Sequence, residues 1–135
     1  MVATSPGGSL FDRLATLLED EVPVALATVV EGPGIGEKLL VHRTDEAGSS
    51  VQGTLGDEGL DRVVVRDALG ELAAGRSGVR NYGEHGEARE DAVRVFIESF
   101  AAPPQMLVFG AVDFTGALVR VAKVLGYRVT VCDAR

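Results

Sequence analysis

The chain has 135 residues, 46% of them hydrophobic and 24% charged, with a formal net charge of −7. That is enough sequence for one globular domain with a sizeable core, and its acidity argues against a nucleic-acid partner. No apolar run reaches the roughly 18 residues of a membrane span, no basic stretch precedes an apolar core as in a signal peptide, and the single cysteine, Cys132, excludes an internal disulfide; together these features predict a cytoplasmic protein away from the membrane.

Residues 1–8 are small and polar with Pro and Gly, which predicts a frayed terminus. Ser9 is placed to cap a helix in which Leu10, Leu14, Leu17 and Leu18, with Phe11, form one apolar stripe. Val22 to Val30 is almost entirely apolar and Val-rich, as in a strand buried on both faces. The Gly/Pro turn of residues 31–36 follows, then a strand over 38–42, a polar turn, and a short strand over 50–55. A helix starts near Asp57 or Glu58, carries Leu60, Val63, Val64, Ala68, Leu69 and Leu72 on its apolar face, and stops at Gly75. Residues 77–82 and 91–100 form an antiparallel pair, with Val93, Val95 and Ile97 at strand period. Ala101-Ala102-Pro103-Pro104 is a stiff joint and a domain boundary.

The predicted class is therefore α/β. Residues 9–102 form an α+β domain with a mainly antiparallel sheet, and residues 105–135 form a truncated Rossmann-like β-α-β unit. That last unit has the outline of a dinucleotide-binding motif. Gly110 makes the tight turn, and Asp133 lies about 20 residues on, where an acid usually bonds a ribose. The second glycine position, however, holds Val112 and the third Thr115. A valine there intrudes on the space of phosphate oxygens. Two readings stay open: a unit kept for packing, or one that takes a nucleotide or related phosphate.

The order of motifs carries a resemblance. Leu26-Ala27-Thr28-Val29-Val30, Lys38-Leu39-Leu40-Val41, Gly53-Thr54-Leu55-Gly56 and the terminal segments Met106–Ala111 and Val129–Arg135 resemble the XdhC/CoxI family. The resemblance implies a maturation factor with chaperone-like duty, not a metabolic enzyme. Such a protein binds the molybdenum–pterin cofactor (molybdopterin), hands it to an apo molybdenum hydroxylase of the xanthine dehydrogenase or carbon monoxide dehydrogenase type, and forms homodimers. On this chain the cofactor-binding positions would be Gly32, Gly34, Gly36, Lys38, Gly53, Thr54 and Gly56, together with Gly110 and Asp133 in the terminal unit. The turns would supply backbone N–H groups for an anion. The position that commonly holds a cysteine in the family is Gly59 here, and the turn after the first strand lacks the family's basic residue. Against this stand a non-catalytic interaction or dimerisation module and a nucleotide-binding oxidoreductase fragment; NAD(P) and FAD are disfavoured by Val112.

No spacing of His, Cys and carboxylates predicts a metal site, and no catalytic constellation is visible. Cys132 reads as a small hydrophobe in a buried strand or as a thiol near a ligand. His42 and His85 read as surface residues. Asp57, Glu58 and Asp61 read as an acidic helix start, or as a cation or partner contact.

Overall fold

The structure is a computed structural model describing residues 8–45, 47–110 and 112–133. The expected frayed terminus therefore falls mostly on residues 1–7, outside the described residues, as do Ala111, Ala134 and Arg135 of the terminal motif. The chain divides into two compact units between Ala101 and Ala102.

The first unit contains α1 (Leu10–Glu19), β1 (Val24–Glu31), β2 (Lys38–Arg43), β3 (Ser49–Thr54), α2 (Glu58–Ala74), β4 (Gly78–Tyr82) and β5 (Val93–Phe100). Its five strands make one antiparallel sheet in the order β3-β2-β1-β5-β4. Alternation along the strands sends Ala25, Ala27 and Val29, Leu39 and Val41, and Val93, Val95 and Ile97 to one face. There they meet Leu60, Val64, Ala68 and Leu72 of α2. The small alanines of β1 let the helix lie close over the middle of the sheet. On the other face Val24 and Leu40 pack with Leu17 of α1. This two-sided cover explains why β1 reads as an unbroken apolar run although every neighbour is antiparallel: the helices, not parallel pairing, bury both faces.

Helix α1 begins with a full capping box, in which the Asp12 amide donates to Ser9 Oγ and the Ser9 amide donates to the Asp12 carboxylate. The expected single apolar stripe is narrower than predicted. Leu17 is buried and Leu10 and Leu14 are half-buried against the sheet, but Phe11 is 73% and Leu18 42% exposed. Positions 10, 14 and 17 share a helical face; 11 and 18 lie about 100° round from it.

The second unit comprises β6 (Gln105–Phe109), α3 (Thr115–Val124) and β7 (Arg128–Cys132), with β6 and β7 paired in parallel. The sequence reads Cys132 as a core residue at the end of a buried strand or as a thiol near a ligand. Cys132 is exposed, against the first reading, and no residue of β7 is fully buried. A two-stranded sheet with one helix leaves most of its surface uncovered.

Among the described residues, no helix is long and apolar enough to cross a membrane. Leu60 is only 2% exposed and anchors the first turn of α2 in the core. Replacement by Ala removes a buried isobutyl group and leaves a cavity, so Leu60→Ala should lower unfolding free energy by about 2–5 kcal/mol. A urea titration followed by circular dichroism reads this directly, and an unchanged midpoint would contradict the packing described.

Candidate functional site

Three loops meet at the α2 N-terminal end of the sheet: the β1–β2 turn, the β3–α2 connection and the β4–β5 loop. The first two touch because Gly34 lies against the backbone of Leu55; a Cβ on Gly34 would stand 2.8 Å from the Leu55 carbonyl. The first and third touch at Gly32, whose Cβ would stand against the Ala92 carbonyl, and the first turn of α2 meets the third at Gly59 and Gly86. Glycine is required at Gly32 and Gly34 both by these contacts and by φ values of +98° and +79°.

The β3–α2 connection is held by a carboxylate. Asp61 accepts from the Thr54 hydroxyl at 2.6 Å and from the Leu55 amide at 2.7 Å, while the Gly56 amide donates to Thr54 Oγ at 3.0 Å. Asp57 is the N-cap of α2: one oxygen accepts from the Leu60 amide at 2.9 Å, and the other pairs with His85 Nδ1 at 2.8 Å. The His85 hydrogen bond, reinforced by the helix amide, holds the Asp57 carboxyl below its ordinary range. The same hydrogen bond and the negative charge of Asp57 raise the His85 imidazole above its ordinary value. Glu87 also accepts from the His85 amide.

The residues singled out in the first unit fall into two groups. Gly32, Gly34 and Gly53 make close backbone contacts; a Cβ on Gly53 would stand 2.3 Å from the Lys38 carbonyl. Gly36 and Gly56 face open space, with nothing within 4 Å of an added Cβ. Their amides are nonetheless engaged, Gly36 with the Val29 carbonyl and Gly56 with Thr54. Lys38 is exposed, and its ammonium donates to Thr28 Oγ at 3.2 Å. Thr54 belongs to the Asp61 network.

This geometry changes the chemistry expected of the turns. The Gly36 and Gly56 amides are already bonded, and the helix N-terminus already has a negative group of its own in Asp57. The surroundings of Gly59 also leave no room for a thiol: its Cβ would lie 2.4 Å from the His85 carbonyl. Among the described residues, no three His, Cys, Asp or Glu side chains gather as metal ligands. What the site offers instead are hydrogen-bond acceptors, including the exposed Glu58 carboxylate at the mouth of α2.

In the second unit, Gly110 and Asp133 stand at the same ends of β6 and β7, where the Gly110 amide donates to the Cys132 carbonyl at 2.8 Å. The amide at the second motif position, Val112, donates to Thr115 Oγ at 3.1 Å, and that hydroxyl donates on to the Gly110 carbonyl. The turn thus closes on itself through Thr115, one of the few buried polar side chains.

Sequence reasoning missed the Asp57–His85 pair, whose partners lie far apart in the chain and carry no local signature. It placed His42 on the surface, whereas His42 is half-buried beside Val24. Its Nδ1 bonds the Arg43 carbonyl, and its Nε2 is enclosed with no partner among the described residues. It also missed the buried Glu71, clasped by Arg76 and Arg80. An acid on the apolar face of α2 was the available signal.

Comparison with known proteins adds three findings. Residues 17–83, from the end of α1 through β4, match the model of the XdhC and CoxI family. The uncharacterized protein YqeB of Escherichia coli (strain K12) is 26% identical over 132 residues; the match covers 93% of this chain and 24% of that protein, so the chain spans about a quarter of its relative's length. The crystal structure of a xanthine dehydrogenase from Bacillus halodurans aligns at 16% identity with a TM-score of 0.31, covering 97% of this chain and 61% of that one, a likeness too loose to carry weight.

The Asp57–His85 pair is testable by pH. Its contribution is complete only where His85 is protonated and Asp57 ionised. It fades as pH rises through the raised His85 pKa, above 6.5, and as pH falls through the lowered Asp57 pKa, below 3.8. An NMR titration should therefore place His85 above its ordinary value in the native chain and return it towards that value in Asp57→Asn. Identical titration curves for the two proteins would dissolve the pair.

Proposed function

Membership of this chain in the XdhC and CoxI family is the premise from which we propose that it serves as part of an accessory protein for a molybdenum hydroxylase. The clients would be apo-enzymes of the xanthine dehydrogenase or carbon monoxide dehydrogenase type, and the setting the cytoplasm. In this reading residues 9–102 are the accessory domain, residues 105–135 a partial Rossmann-like unit, and the role is binding and delivery. The observation that carries it is the convergence of three loops at the N-terminus of α2, two of them within the family-matched residues.

The cofactor fit is one-sided. The aminopyrimidinone edge of a pterin presents N–H donors, and the turn site presents carboxylate and carbonyl acceptors. We assign Glu58 as the acceptor for that edge, because its carboxylate is exposed where the loops meet. The open backbone at Gly36 and Gly56 would let a flat ring approach. Lys38 would lie to the side as the nearest cation of the β1–β2 turn.

A second reading, an interaction or dimerisation module, is favoured by the apolar surface of the second unit. Phe109 is 79%, Phe114 71% and Val124 88% exposed. Under that reading the chain joins client or homodimer partner through this unit and needs no ligand.

Anaerobic fluorescence titration with molybdopterin released from a denatured hydroxylase separates the two. Micromolar binding that weakens about tenfold in Glu58→Ala supports the pterin site. No binding up to about 100 µM, with co-elution of apo-hydroxylase retained, supports the module instead.

A further inference from the structure

Three guanidinium groups of an otherwise acidic chain line one cavity. It has a volume of about 390 Å3 between α2 and the β4–β5 loop, and its walls include Arg66, Asp67, Arg80, Tyr82 and Arg89. Three arginines and one carboxylate line it, with Glu71 paired to Arg80 behind them, in a protein whose formal charge is −7, so this flank is locally richer in cations than the molecule as a whole.

The back of the cavity is fixed. Arg80 donates to the buried Glu71 and lies 3.7 Å from Asp67. The Tyr82 hydroxyl donates to Asp67 at 3.0 Å. Burial, with the neighbouring Asp67 charge, pushes the Tyr82 phenol well above its ordinary value, so it stays neutral and adds no negative charge to the cavity. The front is open. Arg66 gives its Nε and Nη2 to Asp67 but keeps Nη1, and its side chain is 75% exposed. Arg89 has no hydrogen-bond or ion-pair partner among the described residues. It also sits at φ +66°, a left-handed conformation that residues with a side chain rarely adopt.

We propose that this cleft binds a phosphate group, carried by a phosphate monoester or diphosphate. Arg89 supplies a free fork, Arg66 its unengaged Nη1, and Arg80 a fixed charge behind them. Guanidinium forks match phosphate oxygens two at a time, which lysine does not. The β3–α2 turn is less suited to an anion, because the carboxylates of Asp57 and Asp61 are bonded there. The arginine cleft lies on the flank of the same helix and has the opposite charge.

Calorimetry of the full chain with inorganic pyrophosphate at about 50 mM salt tests this. The expected dissociation constant is sub-millimolar, and it should rise at least about tenfold in Arg66→Ser and in Arg89→Ser. Both residues are exposed, so circular dichroism should show native folding. Arg89→Lys should recover only part of the affinity, since it restores charge without the fork. Arg62→Ser, an exposed arginine on α2 that does not line the cavity, should bind as the native chain does. Absence of heat up to about 5 mM pyrophosphate, an unchanged constant in the Arg66/Arg89 double variant, or equal weakening by Arg62→Ser would each overturn the assignment. Glu58→Ala leaves this cleft untouched, so loss of the pterin site and loss of the phosphate site are read separately.

Discussion

The carboxylate of Asp61 is the contact on which this end of the first unit depends. It accepts from the Thr54 hydroxyl and from the Leu55 amide, and so fastens the exit of β3 to the opening turn of α2. With that joint in place Leu55 is buried, and its carbonyl forms the surface on which Gly34 rests. Without it the β3–α2 connection would have no fixed path, and the β1–β2 turn nothing to lie against. An ionised acceptor bonding two donors is stronger than two neutral bonds, which suits a loop with three residues between strand and helix.

A second carboxylate does the corresponding work at the far end of the helix. Gly75 closes α2 in the left-handed conformation, and the amides of Gly75 and Arg76 return to Leu72 and Glu71. The Glu71 side chain then draws in Arg76 and Arg80, and their hydrogen bonds hold its carboxyl below the usual range. A buried acid is costly when unpaired; here the pairing also orients β4, which carries Arg80 and Tyr82. The helix is thus pinned by an acid at each end, with aliphatic packing between. The two surfaces proposed to take ligands lie beside these pins.

The architecture was legible because hydrophobic period and turn chemistry agree along the chain. Ser9, Gly75, and the Val93, Val95, Ile97 alternation each act locally, and each marks its element within a residue or two. The site was less legible because its meaning depends on contacts between distant segments. Gly32, Gly34 and Gly53 look like a ligand cradle in one dimension; in three they are where backbones touch. Asp57 looks like a helix start, which it is, but only the fold brings His85 to it. Cys132 follows an apolar strand and was expected inside, yet strand pattern alone does not say whether a second layer exists to cover it. The arginines of the cleft come from α2, β4 and the β4–β5 loop and share no spacing.

The position of β1 also bears on how the chain reaches this state. β1, β2 and β3 are successive antiparallel strands and can form as local hairpins. The pairing of β1 with β5 must instead close a loop of some 60 residues, which includes α2 and β4. Contacts so distant along the chain form slowly, because the closure entropy is lost before the pairing compensates it. The contact between Gly32 and Ala92 belongs to that last closure. A nascent or partly folded chain would therefore display the β1–β2 turn without the third loop. Binding competence would appear only with the completed sheet, as a late event in folding.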